Sequence, residues 1–136
     1  LVVEGEAMQP RPGHTGSVEL QTNFHPLWSE GMQLYWKDFK PGDKLSLAFD
    51  SEVEGIYYAK IQFTVAPDYG TFALRVNDKV ITPEINLTNE EVSLLLVNLG
   101  QVNLKKGENE LQIESAALAS GHDTGFFGID KLTLRK

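Results

Sequence analysis

Cysteine is absent from this 136-residue chain, which rules out both a disulfide framework and a thiolate metal site. Long apolar runs are missing as well. The longest, Leu94 to Val97 with its neighbours, falls far short of the ~20 residues of a bilayer-spanning helix, so no membrane insertion by a helix is expected. Basic residues are scarce: 12 lysines and arginines face 19 aspartates and glutamates, for a formal charge of −7. They are also scattered (Arg11, Lys37, Lys40, Lys44, Lys60, Arg75, Lys105, Lys106) rather than gathered into a stripe. Polyanions are repelled by such a surface, and nucleic acid is not an expected partner. The chain opens at Leu1 with neither an initiator methionine nor a basic-plus-apolar leader, as an excised module or processed fragment would. Its length suits one domain over residues 1–136 with a single core. A cysteine-free composition is compatible with an extracytoplasmic bacterial location.

Helical signals are equally sparse. The best window, Asn89 to Leu96, mixes an acidic start with β-branched and leucine residues, and one short helical turn is the most it supports. What fills the chain instead is period-two alternation punctuated by glycine, proline, asparagine and aspartate, the pattern of an all-β antiparallel sandwich. Strands are predicted over Val2–Met8, Ser17–Thr22, Met32–Lys37, Lys44–Phe49, Ile56–Val65, Thr71–Val76, Lys79–Ile81, within Val92–Leu104, over Glu108–Ser115 and over Phe126–Leu134. Tyr57, Ala59, Ile61, Phe63 and Val65 share one side and form a core row, as do Leu111 and Ile113. Leu34 and Trp36 share a side, which places Trp36 in the core and Tyr35 outside. Turns are expected at Lys40-Pro41-Gly42-Asp43, at Asn77-Asp78 with positive φ, at Lys106-Gly107, and at Asp68-Tyr69-Gly70 with Gly70 in a special conformation. Gln9 to Gly16 reads as a long surface loop.

The two ends of the chain carry matched acidic groups. In an extended strand Glu4 and Glu6 point to one side, and Asp130 is in phase with Leu132 and Leu134. A carboxylate in an apolar row needs a partner, because burying a lone charge is very costly. If the first and last strands are neighbours, Glu4, Glu6 and Asp130 meet and a hard cation, calcium before magnesium, suits their oxygens. The alternative is that the glutamates line a solvated strand edge while Asp130 starts its strand in water.

Several phrases then fall into a familiar order: Val3-Glu4-Gly5-Glu6-Ala7, Trp28-Ser29-Glu30-Gly31-Met32-Gln33-Leu34-Tyr35-Trp36, Pro41-Gly42-Asp43-Lys44-Leu45, Gly55-Ile56-Tyr57-Tyr58, Ala66-Pro67-Asp68-Tyr69-Gly70, Leu104 to Leu111, and Phe127-Gly128-Ile129-Asp130. From end to end the chain resembles the galactose-binding-like jelly rolls appended to bacterial polysaccharide-degrading enzymes, in the manner of family 6 and family 35 carbohydrate-binding modules. The resemblance implies a structural Ca²⁺ held by an acidic pair in the first strand and an aspartate in the last, positions matched by Glu4, Glu6 and Asp130. It also implies a non-catalytic accessory role in a secreted or surface protein whose catalytic part is a glycoside hydrolase. The chain departs from family 6 in the loop before the last strand, where Ser120 to Phe126 offers histidine and phenylalanine in place of the usual tryptophan or tyrosine.

Sugar recognition needs an aromatic plane against a pyranose face and polar side chains for its hydroxyls. Asn23 to Glu30 contains both: Trp28 is the candidate platform, with Asn23, His25 and Glu30 as polar contacts, and His122 with Asp123 forms a second patch. Against this, Trp28 packs over the end of the sandwich in the commoner outcome for a large aromatic, and Asp68 and Tyr69 shape a turn. Catalysis finds no support: Glu4 and Glu6 belong to one strand rather than to two sides of a cleft, no Gly-x-Ser-x-Gly occurs, and His14, His25 and His122 lack zinc spacing. The expected partner is a glycan or, in the competing reading, the parent's catalytic domain or another subunit without sugar binding.

Overall fold

Among the described residues, alternating apolar positions become eleven strands in two facing antiparallel sheets. The computed structural model describes residues 2–22, Trp28 and residues 31–136, the side chains of Glu6 and Pro83 excepted. The strands are β1 Val2–Glu4, β2 Gln9–Pro10, β3 Ser17–Thr22, β4 Met32–Phe39, β5 Lys44–Ser51, β6 Gly55–Val65, β7 Thr71–Val76, β8 Lys79–Asn86, β9 Ser93–Leu104, β10 Gly107–Ala117 and β11 Gly125–Arg135. One sheet runs β3-β4-β11-β6-β9 with β1 added on β11, and the other runs β2-β5-β10-β7-β8. This is an antiparallel β-sandwich of jelly-roll type. Among the described residues no helix is long and apolar enough to cross a membrane.

The core lies between the sheets, where the predicted row Tyr57, Ala59, Ile61, Phe63 and Val65 is buried together with Leu111, Ile113 and a fully buried Trp36. Trp36 stacks on Phe39 at 3.8 Å between ring centroids, Phe39 meets Phe72 edge-on at 5.8 Å, and Phe72 meets Phe127 at 5.0 Å, so aromatic contacts tie the two layers together. Simple alternation would turn Phe39 outward. Asp38, at φ 63°, is the extra residue where the β4–β11 register slips, and that bulge returns Phe39 to the core.

Several turns match the sequence. Asn77 and Asp78 take φ of 48° and 68°, the positive values of a tight hairpin, and Asp43 N–H closes the Lys40 turn at 3.0 Å. Other expectations need correction. The window Asn89 to Leu96 makes no helix; from Ser93 it is strand, because its leucines pair across β6. β8 extends to Asn86 rather than stopping at Ile81. Gln9–Pro10 pairs with β5, so the supposed surface loop is strand at its start. Gly70 does not take a positive φ. Its lack of a side chain is needed for close approach instead, since a Cβ there would sit 2.1 Å from the Ala117 carbonyl oxygen.

One core group works against stability. The Ser115 side chain is 1% exposed and its hydroxyl finds no hydrogen-bond partner. Desolvating a hydroxyl without a partner costs on the order of 1–3 kcal/mol. Ser115→Ala is therefore expected to raise the denaturation midpoint in urea, and a lower midpoint would show that the hydroxyl is satisfied in solution.

Candidate functional site

The outer face of the β1-containing sheet holds the candidate site. On β4, Gln33, Tyr35 and Lys37 point away from the core row of Leu34 and Trp36. Across from Tyr35 on β11 lies Gly128, where a Cβ would come within 2.2 Å of Gln33 Oε1. The glycine thus leaves room for the Gln33 amide to lie over the sheet. Buried there, Gln33 anchors a relay. The indole N–H of Trp28 donates to Thr64 Oγ1 at 2.9 Å, and the Thr64 hydroxyl donates to Gln33 Oε1 at 2.6 Å. Gln33 Nε2 in turn donates to Gln21 Oε1 at 2.7 Å and to the Tyr69 hydroxyl at 3.2 Å. A buried polar network with its groups satisfied is rigid, and this one forms a fixed floor.

Beside that floor opens a cleft of about 370 Å³, lined by Gln21, Tyr35, Thr64, Asp68, Tyr69 and His122 with Val92 and Pro67 at its sides. Six parts of the chain meet here: β3, β4, β6, the β6–β7 connection, the β8–β9 connection and the β10–β11 connection. Half-buried Tyr35 lies nearly parallel to Phe126, at 6.2 Å and 12°, while His122 stands edge-on to Phe126 at 6.4 Å. Phe126, which is not among the described lining residues, backs Tyr35 and His122, the aromatic groups of the wall. Burial pushes the Tyr35 hydroxyl up to about 12, with the negative charges of Asp68, Glu19 and Asp38 adding to the effect. Tyr69 is also pushed well above the ordinary tyrosine value, chiefly by burial and against the Gln33 hydrogen bond that opposes it. Both phenols are neutral hydrogen-bonding groups at physiological pH.

The predicted residues fare differently. His122 lines the cleft, and exposed Asp123 lies in the same connection without lining it. Trp28 is 3% exposed, so it offers no open face; it packs down and braces the floor through Thr64, the outcome burial of a large aromatic favours. Asn23, His25 and Glu30 lie outside the described residues. Asp68 and Tyr69 do shape a turn, with Tyr69 N–H bonded to the Ala66 carbonyl at 3.2 Å, yet they also wall the cleft. Tyr35 was marked in the sequence by its phase opposite Leu34 and Trp36. No local signal could place Asp68 beside His122.

The first and last strands are neighbours, but the chain does not follow simple strand parity there. β1 pairs antiparallel with β11, with Glu4 opposite Lys131. The strand stops there, and Gly5–Ala7 form a 3₁₀ turn, so Glu6 does not follow the strand rule. A Cβ on Gly5 would lie 2.3 Å from the Ile129 carbonyl oxygen, which is why glycine occupies this crossing. Asp130 falls at a register slip between Ile129 and Lys131, so it is not in phase with Leu132. The slip turns it to the outer face, where it is fully buried and accepts from Gln62 Nε2 at 2.7 Å. It sits at the seam where the neighbour of β11 changes from β4 to β1. Among the described residues no cluster of three or more acidic, histidine or cysteine side chains is assembled.

No protein-family model matches the chain, and no curated protein is similar to it in sequence. Solved structures are similar in fold. A Paenibacillus xanthan lyase superposes over 99% of this chain and 13% of its own, with a TM-score of 0.83 and 15% identity. A family 35 carbohydrate-binding module from an environmental isolate covers 100% of this chain and 93% of its own, with a TM-score of 0.67 and 19% identity. One from Clostridium thermocellum covers 100% and 98%, with a TM-score of 0.62 and 19% identity. The chain thus spans a small part of the lyase and nearly the whole of each isolated module, and it has the jelly-roll fold of the family 35 modules.

Proposed function

We propose that this chain is a non-catalytic carbohydrate-binding module that holds a glycan in the cleft of Tyr35, Asp68 and His122, in the service of a secreted or surface polysaccharide-degrading protein. The observation that carries this reading is the convergence of the Tyr35 ring, backed by Phe126, with the polar groups of Asp68, Gln21 and His122 over a rigid floor. Stacking against a pyranose face and hydroxyl recognition are the two demands of a sugar site, and this surface meets both. The fold shared with family 35 modules supports the same reading. A glycan array followed by titration of the best ligand tests it. Tyr35→Ala is expected to weaken binding about tenfold or more, as loss of an aromatic anchor does, with the fold intact by circular dichroism. Full retention of affinity would remove the cleft as the site and favour docking on a catalytic domain through Ile56, Tyr58 and Leu96, which are exposed on the same face.

A structural calcium ion is the second part of the proposal. Glu4, Glu6 and Asp130 would supply hard oxygen ligands, and two features of the fold suit such an ion. Asp130 is fully buried at the seam between β4 and β1 and accepts from Gln62, which fixes its carboxylate there. Gly5 brings the acidic turn hard against β11. The ion would tie the first strand to the last.

A further inference from the structure

The cleft has one electrostatic sign. Asp68 is the charged residue in its described lining, and no lysine or arginine is among those lining residues. The nearest strand positions reinforce this: Glu19 pairs with Tyr35 across β3–β4, and Lys37 on the same face is bound to Glu19 at 3.4 Å. Asp38 follows on β4. The field of Asp68, Glu19 and Asp38 reaches the cleft wall, since all three disfavour a negative charge on the Tyr35 hydroxyl. His122 is the one histidine in the described lining.

Resting on the carbohydrate reading above, we propose that this cleft selects uncharged pyranose residues and rejects uronates. Carboxylate recognition uses a guanidinium or ammonium, and bidentate arginine is its commonest form. The described cleft lining has neither. A uronate carboxylate there would instead face Asp68 in a partly desolvated setting, where juxtaposed like charges weaken binding strongly. The hydroxyls of a neutral sugar can donate to Asp68 and Gln21 and accept from Tyr35 and His122, so the acidic rim that repels an anion is an asset toward a polyol.

The test uses matched pairs of methyl glycosides: glucoside and glucuronide, galactoside and galacturonide, mannoside and mannuronide. Each is titrated into the whole chain at pH 8 and low salt by NMR. In the pair that binds, the neutral member is expected to bind about tenfold or more tightly than its uronate, as close like charges imply. Asp68→Asn is expected to narrow that gap, and so is added salt on the unaltered protein, because screening shortens the reach of the field. A uronate bound as tightly as its neutral twin overturns the inference and leaves the sugar reading standing. A preference untouched by both Asp68→Asn and salt also overturns it. Binding of neither member in any pair, nor of the same sugars as oligosaccharides, removes the carbohydrate reading and this inference with it.

Discussion

Trp28→Ala is expected to lower stability by about 3–5 kcal/mol, the usual cost of emptying a buried aromatic site. For a chain of this length the thermal midpoint should fall by more than about 10 °C. The residue is 3% exposed, and its indole N–H is the first donor of the relay through Thr64 and Gln33 to Tyr69. Removing it opens a cavity and takes a donor from Thr64 at the same time. Trp28→Phe separates these effects: it keeps most of the volume and loses the hydrogen bond, at an expected cost of about 1 kcal/mol. Differential scanning calorimetry of both variants measures this. If Trp28→Ala melts like the parent chain yet loses glycan affinity, Trp28 is an exposed platform in solution and the burial described here is wrong.

The second large effect is expected at the crossing of the chain ends. Gly5→Ala places a methyl group where 2.3 Å separates it from the Ile129 carbonyl oxygen. A backbone atom cannot swing aside as a side-chain tip can, so β1 must lift from β11. Overpacking of this kind costs typically about 1–3 kcal/mol, and more where backbone is the obstacle. The substitution also tests the calcium proposal, because Glu4 and Glu6 flank Gly5. A ligand of the native state present at a hundred times its dissociation constant stabilises by about 2.7 kcal/mol. Millimolar calcium should therefore raise the midpoint of the parent chain, a chelator should reverse the rise, and the Gly5→Ala variant should respond weakly. An unchanged midpoint of the parent chain on adding chelator would rule out a stabilising ion.

Much of the architecture was legible because half-buried strands announce themselves by alternation. The Tyr57 to Val65 row, the core position of Trp36 and the adjacency of the two ends all follow from period-two patterning and the resemblance of the sequence phrases. Alternation misleads where the register slips. At Asp38 and Asp130 one extra residue reverses the phase, so Phe39 turns inward and Asp130 turns to the outer face. A bulge leaves little mark on sequence, since it depends on what the neighbouring strand does. The early strand likewise stops at Glu4 because Gly5 must cross over the Ile129 carbonyl, a demand set by β11 from more than a hundred positions away.

The candidate site divides along the same line. Residue chemistry alone determined that the chain would be a sandwich of strands, acidic, without thiolate chemistry, with His122 in a polar connection near one end. Tyr35 was assigned outward by phase. Only the tertiary structure decided that Tyr35, Asp68, Tyr69 and His122 share one cleft and that Trp28 lies beneath rather than on the surface. The physical reason is that a strand's own sequence encodes which face each side chain takes, whereas which loops meet is settled by pairing between distant strands. Gly128 shows the difference most plainly: within its own strand it reads as a missing side chain, and its purpose is the space it leaves for Gln33 on the next strand.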